Sequence, residues 1–423
     1  MSVVASNETD LTPTAAAAPA KPSPHWSGFW VVAFAFLVVM AFATLPSPLY
    51  GIYKVRDHLS SFTITVIYAI FAAGTIAALL AETRIAARVG RRGVMLGAVA
   101  IMMVAAALLA AWTDLPVLIV GRLLTGVAAG LAAGTAITYL IELRMRADPG
   151  ASMVRARTIG TSITVGARGV GPLVAGCLAE WASWPLTLPY LVVLGLGAVA
   201  FVGLCFVPET GTPASHATTN QPKRRAPRLP VPAASGTMAA FAASGLFAGL
   251  AGLILAVTFG RTSHALAGAT LFLVFSCGVV SQLATSKLRA SSVLALGTAS
   301  MLAGLALLVV SVRISTPSLA LFLISGALIG AGVGAVFKGT TGIVLEAAAP
   351  EDRLAMTSRL LVVLYLGLSI PVVGAGIALD QGASIANTVL AFGILVAAGV
   401  SVSGWALLAR PPKNPVKSHE MAR

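Results

Sequence analysis

Residues 29–53 read FWVVAFAFLVVMAFATLPSPLYGIY, and this stretch decides the fold class. It holds no Asp, Glu, Lys or Arg, and the charge-free interval around it runs from Lys21 to Lys54. A helix of about 20 apolar residues spans a hydrocarbon core of about 30 Å, so the interval is long enough to cross a bilayer. Similar intervals run from His58 to Glu82, Arg92 to Asp114, Glu180 to Glu209 and Arg228 to Arg261. They continue from Arg261 to Lys287, Arg289 to Arg313, Arg359 to Asp380 and Asp380 to Arg410. Three more, Asp114 to Glu142, Arg157 to Glu180 and Arg313 to Glu346, are each broken by one cation: Arg122, Arg168 or Lys338. The pattern predicts an all-α integral membrane protein with twelve transmembrane helices. Strands of a barrel are excluded, because the segments are about twice the length a tilted strand needs and lack apolar/polar alternation. With 57% of residues hydrophobic and only 10% charged, the chain carries far more apolar surface than a soluble core uses.

Residues 1–26 are rich in Ala, Pro, Ser and Thr, lack the pattern of a cleavable signal peptide, and read as a disordered cytoplasmic tail. Lys and Arg are retained on the cytoplasmic side, and with the amino terminus inside most cations collect there: Arg84 to Arg92, Arg144 to Arg157, Lys223 to Arg228 and the residues after 410. Both termini are then cytoplasmic in a multi-pass plasma-membrane (inner-membrane) protein. The net charge of +14 is explained by topology and headgroup contacts, so the expected partners are the bilayer and a small-molecule substrate, with no nucleic acid and a monomeric state. Cys177, Cys205 and Cys277 lie in apolar spans, far apart, and suggest neither a metal site nor a disulfide framework.

Residues 209–236 are polar and Pro-rich and divide the helices six and six. This defines halves at 27–208 and 237–410, a cytoplasmic linker at 209–236 and a tail at 411–423. The halves resemble each other: RLLTGVAAGLAAGTAITYLIE, ending at Glu142, overlays GALIGAGVGAVFKGTTGIVLE, ending at Glu346, with Gly126 on Gly330 and Gly130 on Gly334. With a slightly different offset, Pro172 in GPLVAGCLAE meets Pro371 in IPVVGAGIALD. Two pseudo-symmetric six-helix bundles suit a rocking transporter whose site lies between them.

The residues resemble the major facilitator superfamily from about residue 27 to 410. TRIAARVGRRGVML, between spans 2 and 3, is similar to its cytoplasmic signature, matched by Arg88, Gly90, Arg91 and Arg92, with Thr83 in place of the usual Gly and Ala87 in place of the usual Asp. In the family that Asp helps to hold one conformation; here Glu82 is nearby but out of register. GRLLTGVAAG in span 4 resembles a second signature, with Arg122, Gly126 and Gly130 on one helix stripe. GARGVGPLVAG in span 5 is similar to the Gly-Pro signature of antiporters: Gly171, Pro172 and Gly176 form a candidate gating hinge. The resemblance implies a secondary transporter working by alternating access and tilts toward export of a small organic compound by antiport.

Cations inside spans carry the site reading, because a charge in the membrane costs several kcal/mol unless it is paired or hydrated. Arg168 lies near mid-bilayer, about 16 Å from Arg157 along the helix, and is the leading cavity candidate. Arg122 and Lys338 sit about 10–12 Å from their span ends, and for both a side chain reaching back to the membrane surface is the alternative. Tyr68 and Phe36 are further cavity candidates. All carboxylates and histidines fall in tails, loops or span ends, so proton coupling is possible without an evident interior acid, and no metal or other cofactor is expected. Such a site favours an anionic solute or one with carbonyl or phosphate oxygens, which keeps uptake or facilitated diffusion of an organic anion as the alternative to export. A membrane-embedded enzyme would need a nucleophile, base or metal cluster that the spans lack, so no enzymatic activity is expected. A non-transporting sensor would need an output domain for which no length remains.

Overall fold

A computed structural model of the chain describes residues 24–148, 150, 153–210, 228–349 and 352–409. The expected tails, apart from residues 24–26, and the middle of the linker lie outside the described residues. The helices are α1 (Pro24–Thr44), α2 (Tyr50–Arg56), α3 (Ser61–Ala111), α4 (Leu115–Ala147), α5 (Met153–Trp181) and α6 (Leu188–Cys205). The second half holds α7 (Val231–Phe259), α8 (His264–Ala284), α9 (Ala290–Arg313), α10 (Leu319–Ala347), α11 (Arg353–Asp380) and α12 (Ile385–Ala409). Residues 24–26 and 231–236, given to tail and linker by composition, are helical, since a polar or small residue in a first helical turn costs little.

Eleven segments among the described residues are long and apolar enough to cross a membrane. The expectation of twelve differs by one because α3, 51 residues long, holds two crossings with no loop between them. A straight helix of that length would reach about 75 Å, more than twice a hydrocarbon core. The chain turns back at Gly90, whose φ of 76° and ψ of 175° break the helix. That conformation is open to glycine and costly for other residues. The turn is fastened by Glu209, whose carboxylate accepts from the backbone N–H of Arg91 at 3.0 Å and of Arg92 at 2.9 Å, the first turn of the second crossing. Glu209→Ala is expected to lower stability by about 1 kcal/mol, as loss of a helix cap does, seen as a lower thermal midpoint in detergent; an unchanged midpoint would argue against this role.

Helices α1–α6 and α7–α12 form two six-helix bundles. Within the first, α3 packs on α4 and α6, and α1 on α4, α5 and α6; within the second, α10 packs on α8 and α9, and α7 on α11 and α12. The halves meet where α5 packs on α8 and α3 on α11. The glycine stripes make the internal repeat physical. A Cβ on Gly126 would collide with the Phe71 carbonyl, and one on Gly330 with the Val274 carbonyl; one step on, Gly130 faces Thr75 and Gly334 faces Gly278. Both bundles thus use the same small-residue approach of backbones, the usual device where lipid supplies no hydrophobic drive between helices. Large apolar side chains such as Leu80, Val199, Leu395 and Val402 point outward, as a lipid-facing surface requires.

Candidate functional site

The first crossing is interrupted. Pro46 and Pro48 lack the N–H groups that would continue α1, so α1 ends at Thr44 and the chain passes through a short 3-10 turn, Ser47–Leu49, into α2. The last carbonyls of α1 then have no intrahelical donors. One of them, Ala43 O, accepts from Arg122 Nη1 at 2.8 Å. Arg122 is only 1% exposed, so it does not reach for the membrane surface but turns inward to a helix C-terminus, where the backbone dipole favours a cation. Its guanidinium carbon also lies 4.9 Å from the centre of the Phe71 ring.

Arg168 is held by a consequence of Pro172. Proline at position 172 cannot donate to the carbonyl four residues earlier, and that carbonyl belongs to Arg168. The Thr44 hydroxyl, at the broken end of α1, donates to it instead at 2.6 Å. α5 therefore continues as helix through the proline. The Arg168 side chain, 3% exposed, crosses to the other half: Nη2 donates to the Tyr365 hydroxyl on α11 at 2.6 Å, and the guanidinium carbon sits 5.2 Å from that ring centre. The Tyr365 and Phe71 rings meet edge to face at 5.9 Å. Arg122, Phe71, Tyr365 and Arg168 thus form a continuous row spanning the interface. Tyr68, one turn before Phe71, is buried within electrostatic reach of Tyr50, Arg122, Arg168 and Tyr365.

The row and the break between α1 and α2 have unused donors. Among the described residues, Arg122 Nε and Nη2, Arg168 Nε, Ser47 Oγ and Tyr50 Oη have no hydrogen-bond partner, and no carboxylate pairs with either arginine. Buried cations left in this state fit ligands that bring acceptors and negative charge. The cavity beside Arg168, lined by Val165, Phe241, Ser244, Phe275 and Gln282, holds only ≈10 Å³, room for about one water. The halves are closed around this cavity in this conformation.

The remaining candidates lie elsewhere. Lys338 Nζ donates to Gln282 O at 2.6 Å and Thr285 Oγ1 at 3.2 Å, holding the C-terminal end of α8 at the face that carries the linker. Phe36 is fully buried in α1 within the first bundle. Arg88 is exposed. Arg91 stands between two carboxylates, 3.9 Å from Glu82 and 3.7 Å from Glu142. Arg92 donates to Cys205 O. Glu82, out of register for the family's pattern, is 5% exposed and accepts from Thr135 Oγ1. These contacts tie α3, α4 and the end of α6 together within one half. Gly171 abuts the Ala41 carbonyl and Gly176 the His264 carbonyl, so the Gly-Pro segment is the seam of α5 against both α1 and α8. Sequence reasoning missed Tyr365, Phe71, Thr44 and Ser47. The Leu-Pro-Ser-Pro run was a signal for the last two, whereas nothing in one sequence marks Tyr365 or Phe71 among other span aromatics.

Known proteins place this geometry in a family. No curated protein matches the chain by sequence. Among solved structures, a mutant of the nucleoside transporter NupG superposes with a TM-score of 0.67 at 12% identity, covering 90% of this chain and 99% of its own. A second structure of nucleoside transporter NupG gives a TM-score of 0.63 at 12% identity, covering 90% and 98%. At that identity the likeness speaks for the fold alone. The sequence model of the Major Facilitator Superfamily matches residues 32–288, more than half of the chain, and with twelve crossings in two related bundles around a closed central site, the chain belongs to the major facilitator superfamily of transporters.

Proposed function

We propose that this protein is a secondary active transporter that moves a small organic anion across the plasma membrane by alternating access, working as a monomer with both termini in the cytoplasm. The observation that carries the reading is Arg168. It is a deeply buried cation whose one side-chain hydrogen bond among the described residues goes to Tyr365 of the opposite half. Parting the halves would break that bond and offer both groups to a solute, which is how a site comes to be coupled to the motion. Arg122, with two unpartnered nitrogens on the same row, supplies a second attraction for negative charge.

The resemblance of the Gly171–Pro172 segment to the antiporter signature supports export by antiport. A second reading, uptake or facilitated diffusion of the same anion, is favoured by the two arginines having no carboxylate partner among the described residues. Everted membrane vesicles separate the two. Labelled organic carboxylates, sulfonates and phosphates are offered from outside, with and without an imposed proton gradient. Antiport gives gradient-driven accumulation that an uncoupler abolishes; equilibration that ignores the uncoupler selects facilitated diffusion. Flux of cationic and neutral compounds alone would overturn the anion assignment.

A further inference from the structure

The face opposite the linker carries a matched pair of contacts between the halves. On α11, the Asp380 carboxylate accepts from the backbone N–H of Ser61 at 2.9 Å and of Phe62 at 3.0 Å, the first turn of α3. On α5, Glu180 Oε2 accepts from the N–H of His264 at 2.7 Å and of Ala265 at 3.4 Å, the first turn of α8. Each acid lies in the last turn of its own helix and reaches a helix of the other half. The receiving turns are alike as well. The Ser60 hydroxyl oxygen accepts from Thr63 N–H at 3.0 Å, and the Ser263 hydroxyl oxygen from Leu266 N–H at 3.1 Å. A serine thus serves the third N–H of each helix and leaves the first two for the acid across the interface.

The pattern follows the internal repeat. Glu180 closes GPLVAGCLAE and Asp380 closes IPVVGAGIALD, the two segments that overlay on their prolines, with the acids falling one position apart in that overlay. Neither acid has an arginine salt-bridge partner among the described residues. Two backbone N–H groups and the positive end of a helix dipole hold each of them, and this attraction depends on the carboxylate being ionised. Around Asp380 the facing groups are Lys54 on α2, whose Nζ donates to Ser61 Oγ at 2.5 Å, and the Ser60 hydroxyl. Around Glu180 they are the His264 imidazole and the Ser263 hydroxyl. Arg56 is occupied by Asp57 at 2.6 Å. Between the halves on this face lies a cavity of ≈410 Å³ lined by Ile52, Val55, Arg56, Arg261, Ala267 and His264, the residue whose N–H Glu180 holds.

We propose that Glu180 and Asp380 are proton-binding positions that latch this face shut when ionised and release it when protonated. Protonation removes the charge, so the N–H groups of α3 and α8 turn to water and the halves can part on this side. With the linker in the cytoplasm, the latch faces the outside, and proton arrival there would open the central site outward. The latch holds whatever the solute is.

The test uses the full-length protein in lipid nanodiscs, with Cys177, Cys205 and Cys277 replaced by Ser and spin labels at Val55→Cys and Val257→Cys, read by double electron–electron resonance. At a pH of about 7.5 the short-distance population should dominate and should persist to about 4, because two N–H donors hold each carboxylate ionised; on acidification to about 2.5, below the ordinary carboxylate range, it should give way to longer distances. Glu180→Gln with Asp380→Asn should lose the closed population about 3- to 30-fold at the higher pH and no longer respond to acid. A wild-type distribution indifferent to pH overturns the latch without any variant having to fold. A double variant that stays as closed as wild type, or that responds to acid as wild type does, overturns it equally.

Discussion

Arg168→Ala is expected to abolish the stabilisation that an anionic solute gives, weakening binding by about 10- to 100-fold, the usual worth of a hydrogen bond to a charged group. The same substitution should leave the ligand-free protein as stable as wild type or more so. An arginine within a span carries an insertion cost of about 2.5–3.5 kcal/mol, while the groups lost with it are one hydrogen bond to Tyr365 and a contact with its ring. The two signs together identify a residue kept for binding rather than for folding. Tyr365→Phe keeps the cation and removes only the hydroxyl, so it should retain most of the affinity. The measurement is a thermal-shift screen of purified protein against organic carboxylates, sulfonates and phosphates. A wild-type ligand shift surviving in Arg168→Ala would remove Arg168 from the site, and a large fall in ligand-free stability would recast it as a structural group.

The second large effect concerns folding. Gly126→Ala and Gly330→Ala each place a methyl group against a carbonyl of the neighbouring helix, Phe71 O in one half and Val274 O in the other. Backbone atoms cannot swing aside as a side-chain tip can, so the helix pair must separate along its length. Overpacking costs about 1–3 kcal/mol even where side chains can yield, and here the expected result is loss of the monodisperse species in detergent. Gly97→Ala and Gly195→Ala are the controls, since a Cβ at either meets nothing within 4 Å. Equal behaviour of all four variants would show that the stripes are not close-packing surfaces. Failure of Gly126→Ala with tolerance of Gly330→Ala would break the equivalence of the two halves.

Much of this was legible in the chain. Charge spacing gave the crossings because a bilayer excludes ions from a layer of fixed thickness, a rule that acts on sequence position alone. The same rule isolated Arg122, Arg168 and Lys338 as interior cations. Their destinations were not legible. Arg122 and Lys338 looked alike, each about two turns from a span end, yet Arg122 bends to the broken end of α1 and Lys338 to the end of α8. The difference lies in which neighbouring helix presents an unsatisfied carbonyl, and that depends on packing. The turn at Gly90 showed the same division, since the glycine was visible but the Glu209 carboxylate that fastens it comes from the chain beyond α6.

The sequence by itself determined the solvent, the number and length of the crossings, the kinship of the halves and the identity of the buried cations, because each is a property of residues counted along one helix. Only the tertiary structure decided that Arg168 meets Tyr365 from 197 positions away, and that Asp380 and Glu180 hold helices across the interface. Helices buried in lipid satisfy their own backbones and carry little record of their neighbours. The few groups left unsatisfied at breaks and ends select partners by geometry, and geometry exists only once the bundles have assembled.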